Sequence, residues 1–266
     1  MDEVVRIRHD FPCLGGRKLY HLLLHRLPSG LHVGRDRFFQ LLRTHKLLLR
    51  RRRSGRPSTT FSGHGFYKYP NLWKGEVPEA PNRFWVSDIT YVRVGDRFMY
   101  LSLITDVYSH RIVGWDLSES LHSDGALRAL KMALKTLPRD YSLIHHSDRG
   151  IQYCCREYVG MLKSYGIGIS MTESGDPREN AIAERVNGIL KGEWLDGRSI
   201  LSYEDGIRVI GRIIQLYNEG RPHQSIGYLT PNQAHQLNGP LERKWKTYYK
   251  KRGEMKEIGD EGVSLS

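Results

Sequence analysis

The 266 residues carry 41 Lys/Arg against 29 Asp/Glu, a net charge of +12, with 39% hydrophobic and 26% charged residues. These are globular values that exclude a disordered chain, and the length allows one domain of ordinary size with a smaller companion. No apolar run is long enough to span a bilayer, and the start lacks a basic region ahead of an apolar core, so a soluble, cytoplasmic protein without membrane contact is expected.

The charge is unevenly placed. Residues 1–53 hold 13 Lys/Arg against 4 Asp/Glu, whereas residues 84–266 hold 24 against 23. Basic charge concentrated at one end favours a polyanion through phosphate contacts and counterion release. Cys13, Cys154 and Cys155 lack metal-ligand spacing, and the adjacent pair is poorly placed for a disulfide, so all three are read as thiols.

In chain order, residues 16–49 read as two helices, Arg17 to Leu27 and Gly34 to about Leu49, with a turn at Pro28-Ser29-Gly30. This suggests a helix-turn-helix-like module within residues 1–53, offering Arg35, Arg37, Arg43 and Lys46 to DNA from its second helix. A basic linker follows over 54–82. From Phe84 the pattern becomes strand-like: Phe84 to Val94, a Gly95-Asp96 turn, Phe98 to Thr105, then Arg111 to Leu117. Ser123 to Thr136 reads as a helix with Ser123 as its cap, Tyr141 to His145 as a strand, Gln152 to Tyr165 as a helix and Ile167 to Met171 as a fifth strand. That order implies an α/β core over 83–235, a mixed five-stranded sheet flanked by helices.

Residues 173–180 are polar and broken by Gly175 and Pro177, so a mobile segment is expected, with Asn180 capping the next helix. That helix carries Asn180, Glu184, Asn187 and Lys191 on one stripe and Ile182, Val186 and Ile189 on another. A helix from Tyr203 to Tyr217 follows, then one capped by Thr230 with Pro231 at its first position. The tail from 236 to 266 mixes Trp245, Tyr248 and Tyr249 with basic residues, a pattern suited to nucleic acid or to a solvated surface helix.

Three carboxylates stand out. Asp88 interrupts a strand whose propensity disfavours it, Asp148 follows the fourth strand at the end where α/β sheets place sites, and Glu184 lies on the polar helix stripe. Each has a bland account, as an edge charge, a loop cap or a surface residue. Together they form an oxygen ligand set suited to a hard cation such as Mg²⁺. Asp106 reads as a turn residue, and His145 and His146 as packed strand-end histidines, with proton transfer to the site as the alternative.

The segments Trp85-Val86-Ser87-Asp88-Ile89-Thr90-Tyr91, His146-Ser147-Asp148-Arg149-Gly150, Asn180 to Arg185 and Tyr217 to His223 occur in an order that resembles the DDE transposases and retroviral integrases. The closest resemblance is to OrfB-type transposases of the IS-three family. Thirty-five residues separate Asp148 from Glu184, and Lys191 follows seven positions later, as in that family's triad. The resemblance implies an RNase H-like core and two Mg²⁺ or Mn²⁺ ions, with Asp88 bridging both and Asp148 and Glu184 each holding one. It also implies Lys191 on DNA phosphate near the joined end, a homo-oligomer on element-end and target DNA, and an upstream OrfA-type product as partner or fusion. The rival expectations are an RNase H-type nuclease and a silent or domesticated DNA-binding protein.

Overall fold

A computed structural model describes residues 1–49, 64–73, 78–173 and 177–244. The basic run from Arg50 and the linker as far as 63, residues 74–77, residues 174–176 of the polar segment and the aromatic-basic tail from Trp245 lie outside the described residues.

The chain begins with α1 (Asp2–Asp10), α2 (Gly16–Leu24) and α3 (Arg35–Thr44). Helix α1 was not expected from the sequence. Its signal is short: Val4 and Ile7 on one stripe, Asp2 and Glu3 in the first turn and Arg8 in the last, which suits the helix dipole. Helix α3 ends five residues before the expected Leu49, so Lys46 stands past its end, at φ 56°, rather than on it.

Five strands follow: β1 (Phe84–Val94), β2 (Arg97–Asp106), β3 (Ile112–Ser118), β4 (Ile144–Ser147) and β5 (Gly168–Met171). Their order in the sheet is β3-β2-β1-β4-β5, with β1–β2 and β2–β3 antiparallel and β1–β4 and β4–β5 parallel. Strand β4 starts three residues later than Tyr141, since Leu143 is already buried in the approach to the sheet.

The connecting helices are α4 (Ser123–Leu134), α5 (Ile151–Cys154), α6 (Arg156–Ser164), α7 (Ala181–Leu190), α8 (Tyr203–Gly220) and α9 (Pro231–Ala234). The single helix expected from Gln152 to Tyr165 is interrupted at Cys155, whose ψ of 154° is extended. Ser123 is the first helical residue of α4 rather than its cap; His122 takes that place. Thr230 caps α9 as expected, and Gln233 completes a capping box, its N–H donating to the Thr230 hydroxyl and its side-chain oxygen accepting the Thr230 N–H.

Among the described residues, the two largest apolar clusters occupy the two sides of the sheet. On one side Trp85, Ile104 and Val113 meet α4 and α6 through Leu130, Ala133, Tyr158 and Leu162. On the other, Val92, Leu101 and Leu117 meet Val186 and Ile189 of α7 and Ile210, Ile214 and Tyr217 of α8. The same cluster takes in Val4, Ile7, Leu19, Phe38 and Leu42, so the N-terminal helices share the core of the sheet domain. Trp194 Nε1 donates to the Asp10 carbonyl at 2.8 Å, and Phe11 packs on the Trp194 ring.

Close packing of α4 on β3 depends on Gly114. A Cβ there would stand 2.2 Å from the Ala129 carbonyl oxygen and 2.9 Å from Ala133 Cβ, both on the helix. Gly114→Ala is expected to lower stability by about 1–3 kcal/mol, read as a denaturation midpoint. An unchanged midpoint would mean that the helix can move away without loss.

Candidate active site

The sheet register brings the first two carboxylates together. Val86 pairs with His146 across the parallel β1–β4 ladder. Asp88 and Asp148 each lie two residues further along, which places them side by side on one face at the carboxyl end of β4. Helix α7 packs against β1 and β2 on that face and supplies the third carboxylate. All three are half-buried.

Each aspartate is held locally. Asp88 Oδ1 accepts the Ile89 N–H at 2.9 Å and Asp148 Oδ1 the Gly150 N–H at 3.0 Å. Asp88 Oδ2 accepts from Asn187 Nδ2 at 2.7 Å, which ties α7 to β1. Burial, and after it the charge of Asp148, push the Asp88 carboxyl up to about 7; the bonds from Asn187 and Ile89 oppose this, and Glu184 adds a smaller push. Asp88 thus senses both other carboxylates.

The polar stripe on α7 therefore points inward. Asn180 and Asn187 are buried. Asn180 precedes α7 but its side chain accepts no capping bond; Nδ2 donates instead to the Ser87 carbonyl at 3.0 Å. The expected capping role gives way because a strand carbonyl next to Asp88 competes for the amide. Lys191 closes α7, half-buried, and opens a π-helical turn (Lys191–Leu195). Burial lowers its pKa, with Asp196 and then Asp88 pulling the other way, so the ammonium lies within electrostatic reach of Asp88. A wider turn of this kind often marks a functional position.

Other candidates lie elsewhere. Asp106 holds the turn after β2, as read from the sequence: fully buried, its carboxylate accepts from the N–H and hydroxyl of Ser109 and from the Asn82 N–H at 2.7–2.8 Å. His145 is buried on the opposite face, hydrogen-bonded through Nε2 to Ser87 Oγ and Tyr158 Oη, and burial pushes it down to about 3. His146 binds Ser170 Oγ and is pushed down to about 4, again chiefly by burial. Both rings are neutral packing groups at neutral pH. Arg35, Arg37, Arg43 and Lys46 are exposed on or beside α3, whose buried face is Phe38 and Leu42.

Sequence reading missed a buried ion cluster behind α7. Arg221, 1% exposed, donates Nε and Nη2 to Glu193 at 2.8 and 2.6 Å, and Lys18 reaches the same carboxylate at 3.2 Å. Its only signal was a pair of charged residues in otherwise helix-ending or apolar surroundings.

Among the described residues, no group of three or more His, Cys, Asp or Glu side chains is set closely enough to hold a metal ion by itself. The donor chemistry nevertheless fits a hard divalent cation: crowded carboxylates, one with its charged form disfavoured, are relieved by positive charge and oxygen coordination.

Models described as integrase core domain match residues 78–177 and 165–231. The "Insertion element IS600 uncharacterized 31 kDa protein" of Shigella sonnei is 37% identical over 205 residues, 76% of this chain and 75% of that one. This chain belongs to the IS3-type transposases of insertion sequences. "Transposase InsF for insertion sequence IS3fB" of Escherichia coli K12 is 33% identical over 181 residues, 67% of this transposase and 63% of the InsF chain. A chain of the simian T-cell lymphotropic virus intasome, solved in complex with the PP2A regulatory subunit B56 gamma, superposes with a TM-score of 0.54 at 18% identity, covering 93% of this transposase and 80% of that chain. That likeness, with the mixed sheet, identifies the RNase H-like integrase fold. Among the described residues of the transposase, no helix is long and apolar enough to cross a membrane.

Proposed function

We propose that this chain is a transposase catalytic subunit that cuts DNA at the ends of its element and joins the freed 3′-hydroxyl to a target phosphodiester. The observation that carries the reading is the approach of Asp148 and Glu184 to Asp88 on one face of the sheet, with Asn187 locking Asp88 to α7. Asp88, Asp148 and Glu184 are the residues that would hold Mg²⁺ or Mn²⁺. Bound there, the ions supply Lewis-acid polarisation of the phosphate and acidification of the attacking hydroxyl.

The chain's own groups position the nucleic acid. Asn187 and Asn180 hold α7 against β1, so the carboxylates keep their mutual placement as DNA enters. Lys191, on the same helix face, meets a backbone phosphate beside the reacting end. Arg35, Arg37, Arg43 and Lys46 are exposed and suited to the duplex backbone, which predicts binding that weakens steeply with salt. The chain spans about 63% of the InsF protein's length, and an OrfA-type upstream product, as partner or fusion, together with a second copy of the chain on DNA, completes the active assembly in this reading.

The test is strand transfer of precleaved element-end DNA into a target with Mn²⁺, with Asp148→Asn as control. Metal-dependent joining by the wild type alone is expected. Hydrolysis of RNA–DNA hybrids without joining would favour an RNase H-type nuclease. Salt-sensitive DNA binding with neither activity, even after the upstream product is added, would favour a silent DNA-binding protein.

A further inference from the structure

Helix α7 has a second face. With about 100° between successive residues, Ala181, Ile182, Arg185, Val186 and Ile189 lie away from the stripe of Asn180, Glu184, Asn187 and Lys191. These five residues line a cavity of about 280 Å³. Its other walls come from Lys18 of α2, Tyr217 of α8 and the segment that follows α8 as far as Ser225. The volume is near the lower end of ordinary small-ligand sites.

The lining is cationic at one part and apolar at another. Arg221 and Lys18 share the Glu193 carboxylate, which stands behind them and does not itself line the cavity. Arg185 is exposed and makes no hydrogen bond or ion pair among the described residues. Three cations thus answer to one carboxylate. The two histidines in the wall add no charge: His110 is bonded to Ser225 Oγ and pushed down to about 4, mainly by burial, and His223 accepts from Arg221 Nη1 at 3.0 Å and lies well below its usual value, again mainly by burial. The charge of Arg185 is a further cause acting on both rings and on Lys18, so its guanidinium lies within electrostatic reach of the cavity. Ile182, Val186 and Ile189 form the apolar wall.

We propose that this cavity binds a single unpaired nucleotide of a DNA strand, with its phosphate at Lys18 and Arg185 and its base against the wall of Ile182, Val186 and Ile189. The inference rests on the DNA-processing reading above. A bare backbone phosphate would leave the apolar wall unused, and an apolar side chain would leave the surplus positive charge unmatched. A nucleotide satisfies both, and apolar contact with the base face tolerates any base sequence. Because Arg185 and Glu184 are neighbours on α7, a strand seated here is held on the helix that carries the acidic site.

The experiment is equilibrium binding of the full chain, by fluorescence anisotropy in EDTA, to three duplexes: blunt, with a two-nucleotide unpaired overhang, and with the same overhang made abasic. Wild type is expected to prefer the intact overhang over the blunt duplex by about tenfold, the scale of one base contact. The abasic overhang should bind like the blunt end. Ala181→Leu, which fills the cavity from an exposed position, and Arg185→Gln, which removes a cation, should each erase the preference. An abasic overhang that binds as tightly as the intact one, or a preference that survives Ala181→Leu, would overturn the nucleotide site. The two readings separate cleanly: joining of DNA without overhang preference sinks the pocket alone, whereas preference without joining, even with the upstream product added, sinks the transposase assignment alone.

Discussion

Asp88→Asn is expected to abolish strand transfer, a loss of at least about 10³-fold in rate, on the scale seen when an electrostatic partner of the reacting phosphate is removed. The amide has the shape of the carboxyl and keeps one oxygen for the Ile89 N–H, while Asn187, whose Oδ1 has no hydrogen-bond partner, can turn its amide over to accept from the new NH2, so the fold is expected to remain intact. What is lost is the anionic charge at the centre of the carboxylate group. Asp148→Asn and Glu184→Gln should behave alike. A readout independent of activity is thermal unfolding with added Mg²⁺ or Mn²⁺: ligand linkage should raise the wild-type midpoint with metal concentration, and Asp88→Asn should flatten that response. Joining at the wild-type rate by any of the three variants would remove the mechanism. A variant that is unfolded at room temperature would reassign its residue to the fold.

Arg221→Met is expected to cost about 3–5 kcal/mol of stability, because it leaves Glu193 behind without its bidentate partner. Replacing both residues, as Arg221→Met with Glu193→Leu, should restore part of the loss, since the pair's attraction largely offsets its desolvation. Burial alone would raise the Glu193 pKa, but the hydrogen bonds and charge of Arg221, then Lys18, bring it below the usual carboxylate range. A depressed pKa means that the folded state binds fewer protons than the unfolded one. The stabilisation is therefore present above the ordinary carboxylate pKa and lost as pH falls toward the folded value. Urea midpoints measured across the acid range should show that loss in the wild type and a flatter profile in the double variant. A single-variant cost below about 1 kcal/mol would mean that the cluster is hydrated rather than buried.

The consequence of this cluster reaches the N-terminal helices. Lys18 on α2 meets Glu193 in the π-helical turn directly after Lys191, and Trp194 holds the end of α1. The module that presents Arg35, Arg37 and Arg43 is thus anchored one turn from the helix bearing Glu184. Loosening Arg221 should weaken salt-sensitive DNA binding as well as stability.

Local patterning carried much of this protein in the sequence alone. Alternating β-branched and aromatic residues marked β1, β2 and β3, Gly95 marked their hairpin, and Thr230 with Pro231 marked α9, because these signals depend on neighbours a few residues apart. The three carboxylates proposed as the acidic site stood out because Asp88 contradicts its strand and because Asp148, Glu184 and Lys191 keep a family spacing. Tertiary structure alone decided what those residues face. The pairing of Val86 with His146 aligned Asp88 with Asp148, Asn180 and Asn187 turned from cap and surface into ties to β1, and Arg221 found Glu193 and Lys18 across the core. Helix periodicity tells which residues share a face, but not which face is buried when both carry polar groups. That choice belongs to long-range packing, where the burial of β1 against α7 leaves a polar side chain stable only if it finds a partner.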